Sequence, residues 1–296
     1  MKLRTYATVL SVILVLASIG SLAIKGINWG LDFTGGTLIE VLYDQPVRTA
    51  DIRDQLGNSG YEDAVVQEFG SAANILVRIP GDDPKLGNSI VQLLGEHYQG
   101  SVTAQRVEFV GPQVGDRMRE QGGLGILMAL GLVMLYIAFR FQFKFSVGAV
   151  SALAHDSLIV LGLFSALGLQ FDLTVMAAIL AVVGYSLNDT IIVYDRIREN
   201  FRKLRKGSAE EVINVSLTQT LGRTLATSGT TLMVLLALFL FGGDMIHNFA
   251  TALIVGIGVG TYSSIYIASN ILIYMNINRE DLMIPVKEND DLDETP

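Results

Sequence analysis

Few residues in this chain could do chemistry, and they stand in unusual places. Asp189 lies inside an apolar segment, residues 173–194, with Asn188 before it and Thr190 after it. An Asp near the centre of a bilayer costs about 2.5–3.5 kcal/mol on insertion scales, so one that is kept is a functional candidate by default. The next charge toward the cytoplasmic cluster, Asp195-Arg196, is one to two turns on, which puts Asp189 about 10 Å inside that edge. His155-Asp156 sits in another apolar segment, near mid-membrane by the same rise past Lys144. Arg223 opens a third, followed by Thr224, Thr227, Ser228, Thr230 and Thr231. Asp189 and Arg223 belong to antiparallel segments joined on one side, so they fall at similar depth and an ion pair between them is expected. Three chemistries fit such a set: a static pair that fixes helix register, a proton relay through Asp189, Arg223, Asp156, His155 and Asn188, or a substrate or ion site.

The elements that must position these groups are membrane spans. Half the residues are hydrophobic, charged residues make up 17%, and the mean hydropathy is +0.45, an uncommon balance for a water-soluble chain. Six apolar segments stand out, 6–24, 122–139, 145–169, 173–194, 221–241 and 249–275, each near the roughly 20 residues needed to cross the hydrocarbon core. The first follows Lys2 and Arg4 and is longer than a signal-peptide core, so it reads as an uncleaved anchor. Lys2, Arg4, Arg140, Lys144 and the cluster from Arg196 to Lys206 all fall on one side of a six-span arrangement. That side is cytoplasmic by the positive-inside rule, and both termini lie there.

Residues 27–121 are then exported. Strands are expected over 37–43, 64–69, 74–79 and 101–110, and helices over 49–58, capped by Thr49, and 85–98. The order β-α-β-β-α-β is the split βαβ, ferredoxin-like arrangement of a small α+β domain. His97 on the second helix reads as packing or surface. Two glycine phrases flank the domain: 30–36, with Gly35 and Gly36, and 111–115, with Gly111, Pro112 and Gly115. They supply turns, or hinges on which the domain tilts. In the cytoplasm, 200–220 contains a capping box, Ser208 with Glu211, and a short surface helix is expected there; its basic neighbours, 203–207, would attract anionic lipid headgroups. The glycine run 256–260 reads as close helix packing. Residues 280–296 are an acidic cytoplasmic tail. The chain has no Cys, and no nucleotide loop, metal cluster or nucleophile–base set, so neither a cofactor nor an enzyme is expected. Nothing suggests a nucleic-acid partner.

Several of these phrases occur together elsewhere. Residues 184–200, Gly-Tyr-Ser-Leu-Asn-Asp-Thr followed by an apolar run and Asp-Arg-Ile-Arg-Glu, resemble the signature of the SecF branch of the SecD/SecF family. The phrases at 30–36, at 110–115, at His155-Asp156 and at 222–231 are similar to others of that family, in the same order. The resemblance implies one half of an RND-type bundle. Its implied partners are SecD, which would supply the other half, the SecYEG channel, the small protein YajC and a translocating polypeptide. The implied function is use of the proton motive force to promote export after the ATP-driven step, in the bacterial inner membrane, with protons as the coupling ion. A small-molecule or lipid exporter half and a passive scaffold that holds SecD are the other readings.

Overall fold

A computed structural model describes residues 4–204 and 207–278, apart from the side chains of 244 and 245. The acidic tail and the basic residues Lys2, Arg205 and Lys206 lie outside this range. The elements run α1 (Arg4–Lys25), β1 (Asn28–Trp29), α2 (Leu31–Thr34), β2 (Gly36–Tyr43), α3 (Thr49–Asn58), β3 (Val65–Phe69), β4 (Ser71–Ile79), α4 (Leu86–Glu96), β5 (Val102–Val110), α5 (Pro112–Arg140), α6 (Phe143–Leu167), β6 (Gln170–Phe171), α7 (Leu173–Lys203), α8 (Ala209–Phe241) and α9 (Asp244–Tyr274). Among the described residues six helices are long and apolar enough to cross a membrane: α1 and α5 to α9.

Three of these helices run further than the apolar segments alone suggest. Helix α5 starts at Pro112, which its fixed φ and missing N–H suit to a first turn. Helix α7 continues to Lys203, well past the apolar run. The short surface helix expected within 200–220 is the first part of α8, which runs unbroken for 33 residues from its Ser208–Glu211 capping box. Contacts between helix ends sort the sides. Arg4 pairs with Glu210 at 3.0 Å, Lys144 donates to the Asn276 carbonyl and Arg196 donates to Gln219. At the opposite end Asn28 donates to the Gly168 carbonyl and Asn248 to that of Gln170. Arg4, Lys144 and Arg196 thus share one end of the bundle, as the charge pattern requires.

Between α1 and α5 lies an α+β unit. Its sheet has the order β3-β4-β2-β5, with all three pairings antiparallel. Each crossover, β2-α3-β3 and β4-α4-β5, leaves room for one strand between its two ends. Alternate residues of the strands, Ile39, Val41, Ile75 and Val77, face Ile52 and Leu56 of α3 and Ile90 and Leu94 of α4 in one core. Helix α3 begins one residue earlier than a Thr49 cap requires: Arg48 holds the cap position, with extended backbone and no side-chain cap bond. His97 is exposed at the end of α4, its ring 3.1 Å from the Leu93 carbonyl.

The unit is joined to the bundle by its glycine phrases. Strand β1 pairs in parallel with β6, the link between α6 and α7. Phe33, on the single turn α2, is 1% exposed and lies among Phe164, Phe171 and Val175 at the outer end of the bundle. Gly35 has φ +68°, and a Cβ there would stand 2.6 Å from the Cα of Pro112. A Cβ at Gly115 would meet the backbone N of Gly35 at 2.8 Å. The two phrases therefore press against each other, backbone to backbone. Gly111 differs: its φ is −65° and a Cβ there would meet nothing within 4 Å.

Candidate functional site

Helix α6 buries one face almost completely, and Asp156 and His155 lie on it, 1% and 7% exposed. One oxygen of Asp156 accepts hydrogen bonds from Ser186 on α7 at 2.7 Å and from Ser263 on α9 at 2.8 Å. The other lies 3.0 Å from Nδ1 of His155. The glycine run on α9 makes this approach possible. A Cβ at Gly256 would collide with Val182 at 2.2 Å, and one at Gly260 would press on Ser186 at 3.0 Å. Small residues let the two helices close to the point where both serines reach one carboxylate. The His155 ring stacks on Tyr262; its Nε2 is buried with no hydrogen-bond partner.

Asp189 is the second buried carboxylate, also 1% exposed, one turn beyond Ser186 on α7. Ser228 of α8 donates to it at 3.5 Å, a long bond. Thr261 of α9 in turn lies 2.7 Å from Ser228. The hydroxyls of Thr190, next to Asp189, and of Thr224, one turn before Ser228, are buried and have no partner. Two carboxylates on adjacent helices are thus lined by hydroxyls, and α9 serves both: Thr261 on the side of Asp189, Ser263 on the side of Asp156.

Comparison with known proteins settles the kinship. The model of the SecD/SecF C-terminal region of protein export membrane proteins matches residues 90–278, and that of the SecD/SecF GG motif matches 20–47. The chain belongs to the SecD/SecF family. It is 53% identical to a protein translocase subunit SecF of Pseudomonas aeruginosa, over 100% of this chain and 97% of the relative. It is 43% identical to that of Escherichia coli O157:H7, over 96% and 89%. A crystal structure of SecDF, a translocon-associated membrane protein of Thermus thermophilus, superposes with TM-score 0.85 at 39% identity. That match covers 93% of this chain but 38% of the longer SecDF chain. SecDF in its super-membrane-facing form, with the same identity and coverage, superposes at 0.70. As a SecF-like member of the SecD/SecF family, this multi-pass membrane protein serves protein translocation.

Within that family frame the candidate residues divide into two groups. Asp156, His155 and Asp189 are inside the bundle. Asn188 and Arg223 are exposed, and the expected Asp189–Arg223 ion pair is not made: among the described residues, no ion pair within 4.0 Å includes Arg223. The cause is helical phase. Helix α8 turns Thr220, Thr224 and Ser228 inward, and Arg223 is about 100° round from Thr224. Asn188 is offset from Asp189 on α7 in the same way. Both end on one uncovered side with Ala177, Ala181 and Gly184 of α7 and Gly222 and Thr227 of α8. Cβ atoms at Gly184, Gly222 and Gly229 would meet nothing within 4 Å, so these glycines do no packing within the chain. Ser186, Ser263 and Thr261 were not singled out from sequence. Serine and threonine are common in membrane helices, and only the crossing of α6, α7 and α9 aims the two serines at Asp156, while that of α8 and α9 brings Thr261 to Ser228.

Proposed function

We propose that the chain is the SecF-type half of an inner-membrane SecD/SecF assembly, and that protonation of its buried carboxylates is coupled to movement of an exported, ferredoxin-like domain. The observation that carries this reading is the pair Asp156 and Asp189, both buried on helices that touch, the first bonded by two serine hydroxyls and the second by one. His155 offers an imidazole Nε2 that can take a proton while Nδ1 faces Asp156. Protons are the coupling ion, and no other cofactor is invoked.

The uncovered side fits a second membrane bundle. Asn188 and Arg223 are costly groups to leave in lipid, and the small residues beside them let a foreign helix approach closely. A SecD-like protein is the partner of this side; there Arg223, which makes no ion pair within 4.0 Å in this chain, would find a closer carboxylate. SecYEG, YajC and the translocating polypeptide are further partners. Both termini are cytoplasmic, and the α+β unit faces the exported side. The glycine phrases at 30–36 and 111–115 are the joint on which the unit would move against the bundle.

Energetics limit the cycle. One charge crossing 100 mV supplies about 2.3 kcal/mol, whereas driving a two-state equilibrium from 1:99 to 99:1 takes about 5.5 kcal/mol. More than one proton, a pH gradient or polypeptide binding must contribute. The test reconstitutes the chain with SecD and SecYEG and follows export after the ATP-driven step while the proton motive force is imposed or collapsed. Export that ignores the proton motive force would overturn the proposal and favour a scaffold.

A further inference from the structure

At the basic end of the bundle, α5 and α7 leave an open cleft of about 380 Å³ between them. Arg140 enters it from the last turn of α5; Arg198, Arg202 and Lys203 enter from α7, with Asp195 and Glu199. Glu199 is already engaged by Arg196 and Lys203, each at 2.5 Å. Among the described residues, Arg140, Arg198 and Arg202 make no ion pair within 4.0 Å. Arg198 and Arg202 are one helical turn apart, so both guanidinium groups rise on one face of α7. Arg140 stands over the ring of its neighbour Phe141, 5.2 Å from the centroid, which fixes its approach to the cleft.

The surroundings say what would fill such a cleft. Below Arg140, toward the membrane interior, α5 exposes Leu132, Leu135, Tyr136 and Phe139 in a continuous apolar column. A ligand here meets unpaired guanidinium groups at the membrane surface and hydrocarbon-facing side chains directly beneath. Planar guanidinium forks match phosphate oxygens, and a glycerophospholipid presents a phosphate directly above acyl chains. We infer that Arg140, Arg198 and Arg202 form a binding site for an anionic phospholipid of the cytoplasmic leaflet, with the phosphate in the cleft and the acyl chains along α5. A role in setting topology explains why basic residues sit at this end; it does not explain why three of them gather unpaired around one cleft.

The site stands apart from proton coupling, so lipid retention and proton-driven export are read separately. The test is native mass spectrometry of the full chain, delipidated in detergent and titrated with phosphatidylglycerol, phosphatidylcholine or inorganic phosphate. Phosphatidylglycerol should bind in preference to phosphatidylcholine, and inorganic phosphate should not displace it. R140Q/R198Q/R202Q should weaken phosphatidylglycerol binding at least about tenfold, given the usual contribution of a basic residue near an anionic surface. R140K/R198K/R202K keeps the charge but loses the planar fork, so its binding should fall between wild type and the triple Gln variant, and Arg117→Gln, at the other end of α5, should change nothing. If the triple Gln variant fails to fold, Arg198→Gln and Arg202→Gln singly should each weaken binding about fivefold. Equal retention by the Gln variants, no preference over phosphatidylcholine, or full displacement by phosphate would each overturn the site.

Discussion

The carboxylate of Asp32 accepts a hydrogen bond from the backbone N of Leu173 at 3.0 Å. Asp32 belongs to the phrase that leads into the α+β unit, and Leu173 is the first residue of the helix that carries Asp189. Asp172 caps the same helix end by accepting from Val175 at 2.9 Å. Two carboxylates therefore hold the positive end of α7, one of them from the phrase that leads into the α+β unit. Asp189 is sixteen residues along, about 24 Å away at 1.5 Å per residue. A rigid helix thus links the base of the α+β unit to a buried ionisable group. Asp32→Ala should cost about 1 kcal/mol of stability, as for a lost cap, and should reduce proton-driven export more than it reduces the amount of folded protein. Thermal unfolding and export on matched membranes measure the two effects.

Substitution of the carboxylates separates their roles. Asp189 has one long hydrogen bond, so Asp189→Asn should leave folding within about 0.5 kcal/mol of wild type and abolish proton-driven export. Asp156 accepts from two serines and a histidine. Asp156→Ala should therefore destabilise the bundle by about 1–3 kcal/mol, because Ser186 and Ser263 lose a buried acceptor. From the sequence alone Asp156 ranks below Asp189; the packing makes it at least as consequential. Unfolding in detergent, read beside proton flux, checks both. Normal proton-driven export by Asp189→Asn would refute the relay.

Arg223 is exposed in the isolated chain, so Arg223→Met should leave its thermal stability unchanged. Co-purification with a SecD-like partner should fall, and proton-driven export with it. Disulfide cross-linking is a direct check, because the chain has no native Cys: Gly184→Cys and Gly222→Cys should each cross-link to single cysteines on a membrane helix of the partner. Loss of stability in the isolated chain would mean that Arg223 acts within it.

The glycines of the joint should differ among themselves. Gly111→Ala should be tolerated or stabilising by about 0.4–1 kcal/mol, since its backbone suits any residue and its surroundings are open. Gly35→Ala should be strongly destabilising, because it places a Cβ at φ +68° and against Pro112. Protease resistance of the exported unit distinguishes the outcomes. If Gly35→Ala yields a resistant unit with failed export, these residues are needed for motion; if both are lost, they are needed for folding.

Much of this organisation was legible in the sequence, and the failures share a cause. Hydropathy gave six spans, and the distribution of Lys and Arg gave their common side, because both depend only on composition along the chain. Alternation marked the strands of the α+β unit, as in Ile75, Val77 and Ile79. The relative phase of neighbouring helices was not legible. Asn188 and Asp189 are adjacent in sequence yet face opposite environments, and Arg223 falls just outside the packed face of α8. Depth can be counted from rise per residue, but facing depends on which helices pack together, and in a half-bundle some of those helices belong to another chain. The same limit hid Ser186 and Ser263.

The α+β unit has a pH signature of its own. Burial, with a smaller contribution from neighbouring Tyr98, pushes the pKa of Tyr43 up from 10 to about 12. Tyr43 is 4% exposed. A folded-state value above the unfolded one means that this contribution to stability is intact below about pH 10 and is lost as pH rises toward about 12. Tyr43→Phe should flatten that alkaline decline. Tyrosinate absorbance followed together with circular dichroism tests this; an unchanged alkaline midpoint would count against it.

One turn of α9 reaches three other helices. Thr261 touches Ser228 of α8, Tyr262 donates to the Ala7 carbonyl of α1 at 2.6 Å, and Ser263 donates to Asp156 of α6. Successive residues point about 100° apart, so this turn acts as a rivet driven through the bundle in three directions. Sliding or rotating α9 alone would shear all three fastenings at once, at about 0.6 kcal/mol or more for each hydrogen bond inside a membrane. In the proposed cycle the work would therefore fall at the seams: between this bundle and a partner's, and at the glycine phrases beneath the α+β unit. Helices α1, α6, α8 and α9 would then travel together as one stiff plate.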